Sequence, residues 1–201
     1  IIDGAMFGFG TPIGSHMAPH SPAYADLTGA FPHDVAKAKE LLKQAGFENG
    51  FKATIKLPPV TYARRGGEIL AAQLREAGIE LEIIPVEWAQ WLEQVFTNKD
   101  YDLTIVSHTE PNDIGIYARK DYYFNYDNPA FDAVMAELEG ASDEGARKAL
   151  LIKAQEILSK DAVNGFLFEL AKVGVWDAKV EGLWANSPIQ ANDLTEAKWK
   201  D

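Results

Sequence analysis

Between Phe51 and Val106 the hydrophobic pattern changes period four times. Phe51 to Leu57, Ile79 to Ile84 and Tyr101 to Val106 are short β-branched or alternating apolar runs, the signature of half-buried or buried strands. Tyr62 to Ala77 and Trp88 to Asn98 instead space their apolar residues three and four apart, with Ile69, Leu70 and Leu74 on one helical face and Trp88, Trp91, Leu92, Val95 and Phe96 on another. Strands joined by connections long enough to hold helices form right-handed crossovers, so these runs predict a mainly parallel sheet with helices on both faces. Ligands of such sheets bind at the carboxyl ends of the strands, which directs attention to Ser107 through Asp113.

The flanking pattern adds helices over 34–45, 129–140 and 143–160. Asp34, Asn128 and Ser142 or Asp143 supply the caps, and Gly46 and Gly140 the stops. In the last of these helices the buried stripe is read as Ala149, Ile152, Ile157 and Leu158. Thr61 is the candidate cap of the 62–77 helix. Gly66 and Gly67 sit awkwardly inside it and imply either a close backbone approach or a later start. Strands are expected at 164–170 and 172–176, with a short one at 179–182, and these late strands can join the sheet in either direction. Residues 114–126 are expected to be irregular. Residues 1–33 read as a helical stub followed by an ordered loop, because Gly and Pro crowd 8–22 while Phe7, Phe9, Tyr24 and Phe31 argue against disorder. From Trp184 onward the chain reads as loop.

At 201 residues and 47% hydrophobic content, one core and one domain are expected. A net charge of -11 opposes nucleic acid or an anionic membrane as the main partner. With no cysteine there is neither a disulfide nor a thiolate site. No run approaches the roughly 18 residues of a membrane-spanning helix. The opening Ile1 to Phe7 looks like the end of a helix that starts earlier, so the chain is expected to be part of a longer protein.

Few residues suggest chemistry. His16 and His20 would form a metal pair on a helix, but Pro19 removes that geometry. No hydrolase, metalloprotease, P-loop or dinucleotide motif stands in a strand-to-helix context. Ser107, His108 and Glu110 are sequence neighbours and cannot form a relay by themselves. Carboxylates such as Glu110 and Asp113 could serve as acid and base, or equally could end a solvated loop. An acidic loop ringed by Trp and Tyr is also suited to hold an ammonium group. The candidate ligand contacts are therefore Glu110, Thr109, His108, Asn112 and Asp113, flanked by Trp88, Tyr62 and Tyr123. No metal, cofactor or catalytic residue is assigned.

Several segments together resemble one family: Gly10 to Pro12 with Pro19 and Pro22 to Tyr24, Asp34 to Gly46, Ala71 to Ile79, Val86 to Trp88, Lys99 to Asp102, Tyr126 to Asp132 and Ala154 to Leu158. In order and spacing they resemble the carboxyl-terminal lobe of the extracytoplasmic solute-binding proteins of the dipeptide, oligopeptide and nickel ABC importers. The resemblance implies a periplasmic-binding-protein-like α/β lobe spanning 1–201, without the larger amino-terminal lobe, with 1–33 and 184–201 facing that partner. It implies capture of a peptide, sugar or similar small polar solute between two lobes, and delivery to membrane permease subunits. The location would be periplasmic or otherwise extracytoplasmic, with a lipid anchor as one form. Where the family has Gly-Trp and an Asp-Pro loop that meets a peptide's amino group, this chain has Ser107, His108, Thr109, Glu110 and Pro111, so Glu110 takes the aspartate's place. A small α/β enzyme using Glu110, Asp113 or His108, or a ligand-sensing domain, is the alternative.

Overall fold

Alternation along Phe51–Leu57 (β2) sends Ala53, Ile55 and Leu57 to one side of a sheet and Lys56 to the other. The computed structural model describes residues 1–109, 113–185 and 193–200. They fall into two units, Ile1–Leu170 and Ala171–Asp201. In the first, β2 pairs in parallel with Ile79–Pro85 (β3), Phe51 opposite Ile79 and Leu57 opposite Pro85. On its other edge it pairs in parallel with Leu103–Thr104 (β4), giving the order β3-β2-β4. Thr61–Ala77 (α3) covers one face through Ala63 and Ala71 against Ile55, Leu57 and Leu81. Trp88–Trp91 (α4) and the π-helical turn Leu92–Thr97 that continues it cover the other, where Trp91 and Val95 cluster with Val86, Tyr123 and the partly buried Ile84 and Val106.

The third strand is shorter than the apolar run Tyr101 to Val106. The reason is local: the Asp102 carboxylate accepts from both the backbone N–H and the hydroxyl of Thr54, each at 2.8 Å, and so occupies a place where a backbone carbonyl would have continued the ladder. The glycine pair in α3 is a close approach and not a late start. A Cβ on Gly67 would lie 2.4 Å from Leu57 Cδ1, so the helix can lie this near β2 only without one. Thr61 is the first helical residue and not the cap; Val60 precedes it and offers no side-chain acceptor. Gly78, at φ 101°, closes the helix in the left-handed region.

Ile2–Met6 (α1) and Gly10–Pro12 (β1) precede the loop that leads to Val35–Gln44 (α2), which Asp34 caps by accepting from Lys37 N at 2.9 Å. Downstream lie Pro129–Gly140 (α5), capped by Asn128, and Glu144–Lys160 (α6), capped by Asp143. The stretch expected to be irregular holds a 3₁₀ helix, Ile114–Ala118, whose Ile114, Ile116 and Tyr117 form a core with Phe131, Val134, Met135, Ala154 and Leu158. The buried stripe of α6 differs from its apolar pattern: Ala149 is exposed, while Gln155 and Ser159 are buried beside Ala154 and Leu158. That side of α6 packs on the loop backbone of 15–25, which demands hydrogen bonds and not only methyl groups.

The late strands do not join the parallel sheet. Of 164–170 only Phe168–Leu170 (β5) is a strand, antiparallel to β1 with Gly10 opposite Leu170. Within the second unit, 172–176 forms no strand and Val175 is 98% exposed; an apolar run without a pairing partner gains nothing from extension. Val180–Glu181 (β6) pairs antiparallel with Lys198–Trp199 (β7), so part of the segment read as loop is in fact a strand. No helix among the described residues is long and apolar enough to cross a membrane.

Candidate functional site

Three strands that run parallel must leave the sheet on the same edge, and their exits touch. The Tyr62 hydroxyl, in the first turn of α3 after β2, accepts the Ser107 N–H after β4 at 3.0 Å. Arg64, one residue beyond Ala63, reaches Glu87 after β3 at 3.3 Å. Glu87 and Gln90 form a reciprocal capping box that starts α4 and fixes Trp88 at the rim, 41% exposed with its ring edge-on to Trp91. Burial raises the Tyr62 hydroxyl above its ordinary pKa, so it stays protonated.

Beneath this rim Asp113 joins two imidazoles. Its Oδ1 lies 2.5 Å from His16 Nε2 and its Oδ2 lies 3.2 Å from His108 Nδ1. Each ring meets a tyrosine on its far nitrogen: His16 Nδ1 is 3.2 Å from the Tyr117 hydroxyl, and His108 Nε2 is 2.9 Å from that of Tyr123. Asn164 Nδ2 donates to the Tyr117 oxygen at 2.5 Å. The Asp113 side chain is 11% exposed, His16 8% and His108 24%. Burial pushes the Asp113 carboxyl up, but the hydrogen bonds from His108 and His16 outweigh it and hold the group well below the usual carboxylate range. Burial raises Tyr117 and Tyr123 far above the ordinary phenol value, so both remain donors. Phe124 stacks on Tyr117 at 4.7 Å and Tyr123 lies against Trp91 at 5.6 Å, so an aromatic layer encloses the network.

Of the sequence-derived candidates, the structure brings together His108, Asp113 and Tyr123, and places Tyr62 and Trp88 on the rim. Thr109 is exposed. Glu110 and Asn112 lie outside the described residues. His16, Tyr117 and Asn164 were not among the candidates, since 97 residues separate His16 from Asp113 and no spacing rule links them. Instead of joining His16, the exposed His20 lies 3.3 Å from Glu169, so the two imidazoles serve different ends. Among the described residues no three His, Cys, Asp or Glu side chains are grouped to hold a metal ion.

Solved structures show the same fold. A periplasmic binding protein from Helicobacter pylori, associated with an ABC transporter and solved with the peptide STSA, superposes on the whole of this chain with a TM-score of 0.80 at 25% identity, the chain covering 41% of it. A dipeptide-binding protein from Pseudoalteromonas sp. SM9913, solved with Met-Leu, gives 0.78 at 22% identity, again over the whole chain and 42% of that structure. The fold is that of the periplasmic binding proteins. Residues 1–113 match the family described as bacterial extracellular solute-binding proteins, family 5 middle, and the chain belongs to that family. Among curated relatives, heme-binding protein A of Haemophilus influenzae is 27% identical over 180 residues, covering 81% of this chain and 32% of that protein. Di/tripeptide-binding protein 1 of Pseudomonas aeruginosa is 25% identical over 175 residues, covering 80% and 32%. The chain thus spans about a third of the length of these relatives.

Proposed function

We propose that this chain is one lobe of the substrate-binding component of an ABC importer, which works outside the cytoplasmic membrane, free or lipid-anchored, and passes its solute to permease subunits. The observation that carries this reading is the convergence of the three strand exits, tied by the Tyr62–Ser107 and Arg64–Glu87 contacts, at the edge where parallel sheets take their ligands. Family membership supports it. The named ligands of the relatives and neighbours, peptides among them, favour a peptide or a similar small polar solute. A second lobe, supplied by a longer protein, closes over this edge.

Both oxygens of Asp113 are engaged by imidazoles, so Asp113 is not assigned to the ligand, and Glu110, from its place in the sequence after β4, is the residue proposed to meet a cationic ligand group. The same engagement weighs against an enzyme in which Asp113 acts as base. A charge-assisted bond is worth about 1.5 to 3 kcal/mol, which corresponds to roughly tenfold to a hundredfold in affinity. The test is a thermal-shift screen of the full-length protein against di-, tri- and tetrapeptides and heme, followed by calorimetry of the best peptide with wild type and Glu110→Gln. The expected result is peptide binding that weakens by that factor with an unchanged melting temperature. Equal affinities would remove Glu110 from the site, and turnover of a bound peptide would favour the enzyme reading.

A further inference from the structure

We propose that His16 is a positioning residue for the loop leaving β4, holding one oxygen of Asp113 so that the other orients His108. It rests on the reading above only in taking that loop as the ligand-binding rim. The hydrogen-bond logic is independent of it.

An ionised carboxylate only accepts, so both ring nitrogens that face Asp113, His16 Nε2 and His108 Nδ1, carry hydrogen. In neutral imidazoles the opposite nitrogens are then acceptors. The Tyr117 and Tyr123 hydroxyls, kept protonated by burial, donate to them. Asn164 donates to the Tyr117 oxygen, which leaves that hydroxyl's own proton free for His16. Every proton is assigned once: Asn164 to Tyr117, Tyr117 to His16, His16 to Asp113, and from the other side Tyr123 to His108 and His108 to Asp113. His108 is thereby held as the Nδ1–H form, the less populated tautomer of a free imidazole.

The consequence for the loop is mechanical. His108 and Asp113 are five positions apart, and their side chains meet at 3.2 Å. His16, from the loop after β1, holds the other oxygen of Asp113 and so fixes where the carboxylate meets His108, whose far nitrogen Tyr123 holds. Asp113 is thus committed to shaping the rim.

The experiment uses the full-length protein with ¹⁵N-labelled histidine at about pH 8, above the ordinary imidazole pKa. In wild type, His16 is expected as the Nε2–H tautomer and His108 as the Nδ1–H tautomer. In His16→Ala, exchange of the Ser107 and His108 amides is expected to accelerate about tenfold, because the carboxylate that orients His108 has lost its other partner. His16→Gln presents an amide N–H and a carbonyl where the two ring nitrogens stood, and should restore slow exchange of these amides. A wild-type His108 found as Nε2–H, or a folded His16→Ala with unchanged loop exchange, would overturn the inference. Should His16→Ala fail to fold, Tyr117→Phe asks the same question by removing the partner that orients the His16 ring: faster exchange of the Ser107 and His108 amides supports the inference, and unchanged exchange refutes it. A wild type that shows both tautomers yet binds none of the tested peptides supports this assignment while the functional reading fails.

Discussion

The hydroxyl of Ser15 donates to Gln155 Oε1 at 2.9 Å across 140 positions of sequence, with both residues fully buried. Gln155 also accepts from Ala25 N at 3.2 Å and donates to Ala23 O at 2.7 Å, so one amide on α6 holds the loop that delivers His16 to Asp113. Removing it takes the partner from the Ala25 N–H and the Ala23 carbonyl, while the Ser15 hydroxyl keeps the Ala25 carbonyl at 2.8 Å. Gln155→Leu is therefore expected to cost about 3 kcal/mol of unfolding free energy, read from urea denaturation. A loss under about 0.5 kcal/mol would mean the loop is held by other contacts.

The two glycines of α3 should respond oppositely to alanine. At Gly66 an added Cβ would meet its nearest atoms at 3.7 Å, an ordinary contact, so Gly66→Ala should gain about 0.5 to 1 kcal/mol from helix propensity. At Gly67 it would lie 2.4 Å from Cδ1 of the fully buried Leu57, so Gly67→Ala should lose about 1 to 3 kcal/mol through overpacking. Denaturation midpoints of the two variants check the contrast, and equal effects would contradict the close approach of α3 to β2.

Asp113 should make the protein resistant to mild acid. Its carboxyl lies below the ordinary value in the folded state, so near that value the unfolded chain binds more protons and stability rises with pH. The contribution is fully present above the unfolded pKa of about 3.9 and is lost only as the pH falls through the lower folded value. Asp113→Asn, which turns an amide toward one of the two imidazole N–H groups, should destabilise at pH 7 and flatten the acid limb below about pH 4. Unfolding curves from pH 7 to 2 provide the comparison; superimposable acid limbs would show that this carboxylate is not coupled to folding.

On the proposed two-lobe reading this chain supplies one wall of the enclosure, so by itself it should bind the same peptide at least about tenfold more weakly than the full-length protein. Calorimetry of both proteins with that peptide tests this, and equal affinities would mean that this lobe alone is the binding unit.

The alternation in Phe51 to Leu57 and Ile79 to Ile84, and the helical spacing between them, determined the parallel sheet and its two covered faces. Periodicity decides which side of an element is apolar, and the long crossovers leave few topologies. Caps such as Asp34, Asn128 and Asp143 were legible for the same reason, since they act on the backbone two or three residues away. The pairing of Gly10–Pro12 with Phe168–Leu170 was not legible, nor was the pairing of Val180–Glu181 with Lys198–Trp199, because a two- or three-residue strand has no period to detect. Of the network at Asp113, the sequence offered His108 and Asp113 as loop neighbours and Tyr123 as a flanking candidate. It could not offer His16, Tyr117 or Asn164, because a buried carboxylate recruits whichever donors the fold brings within about 3 Å, and that proximity is a property of tertiary packing.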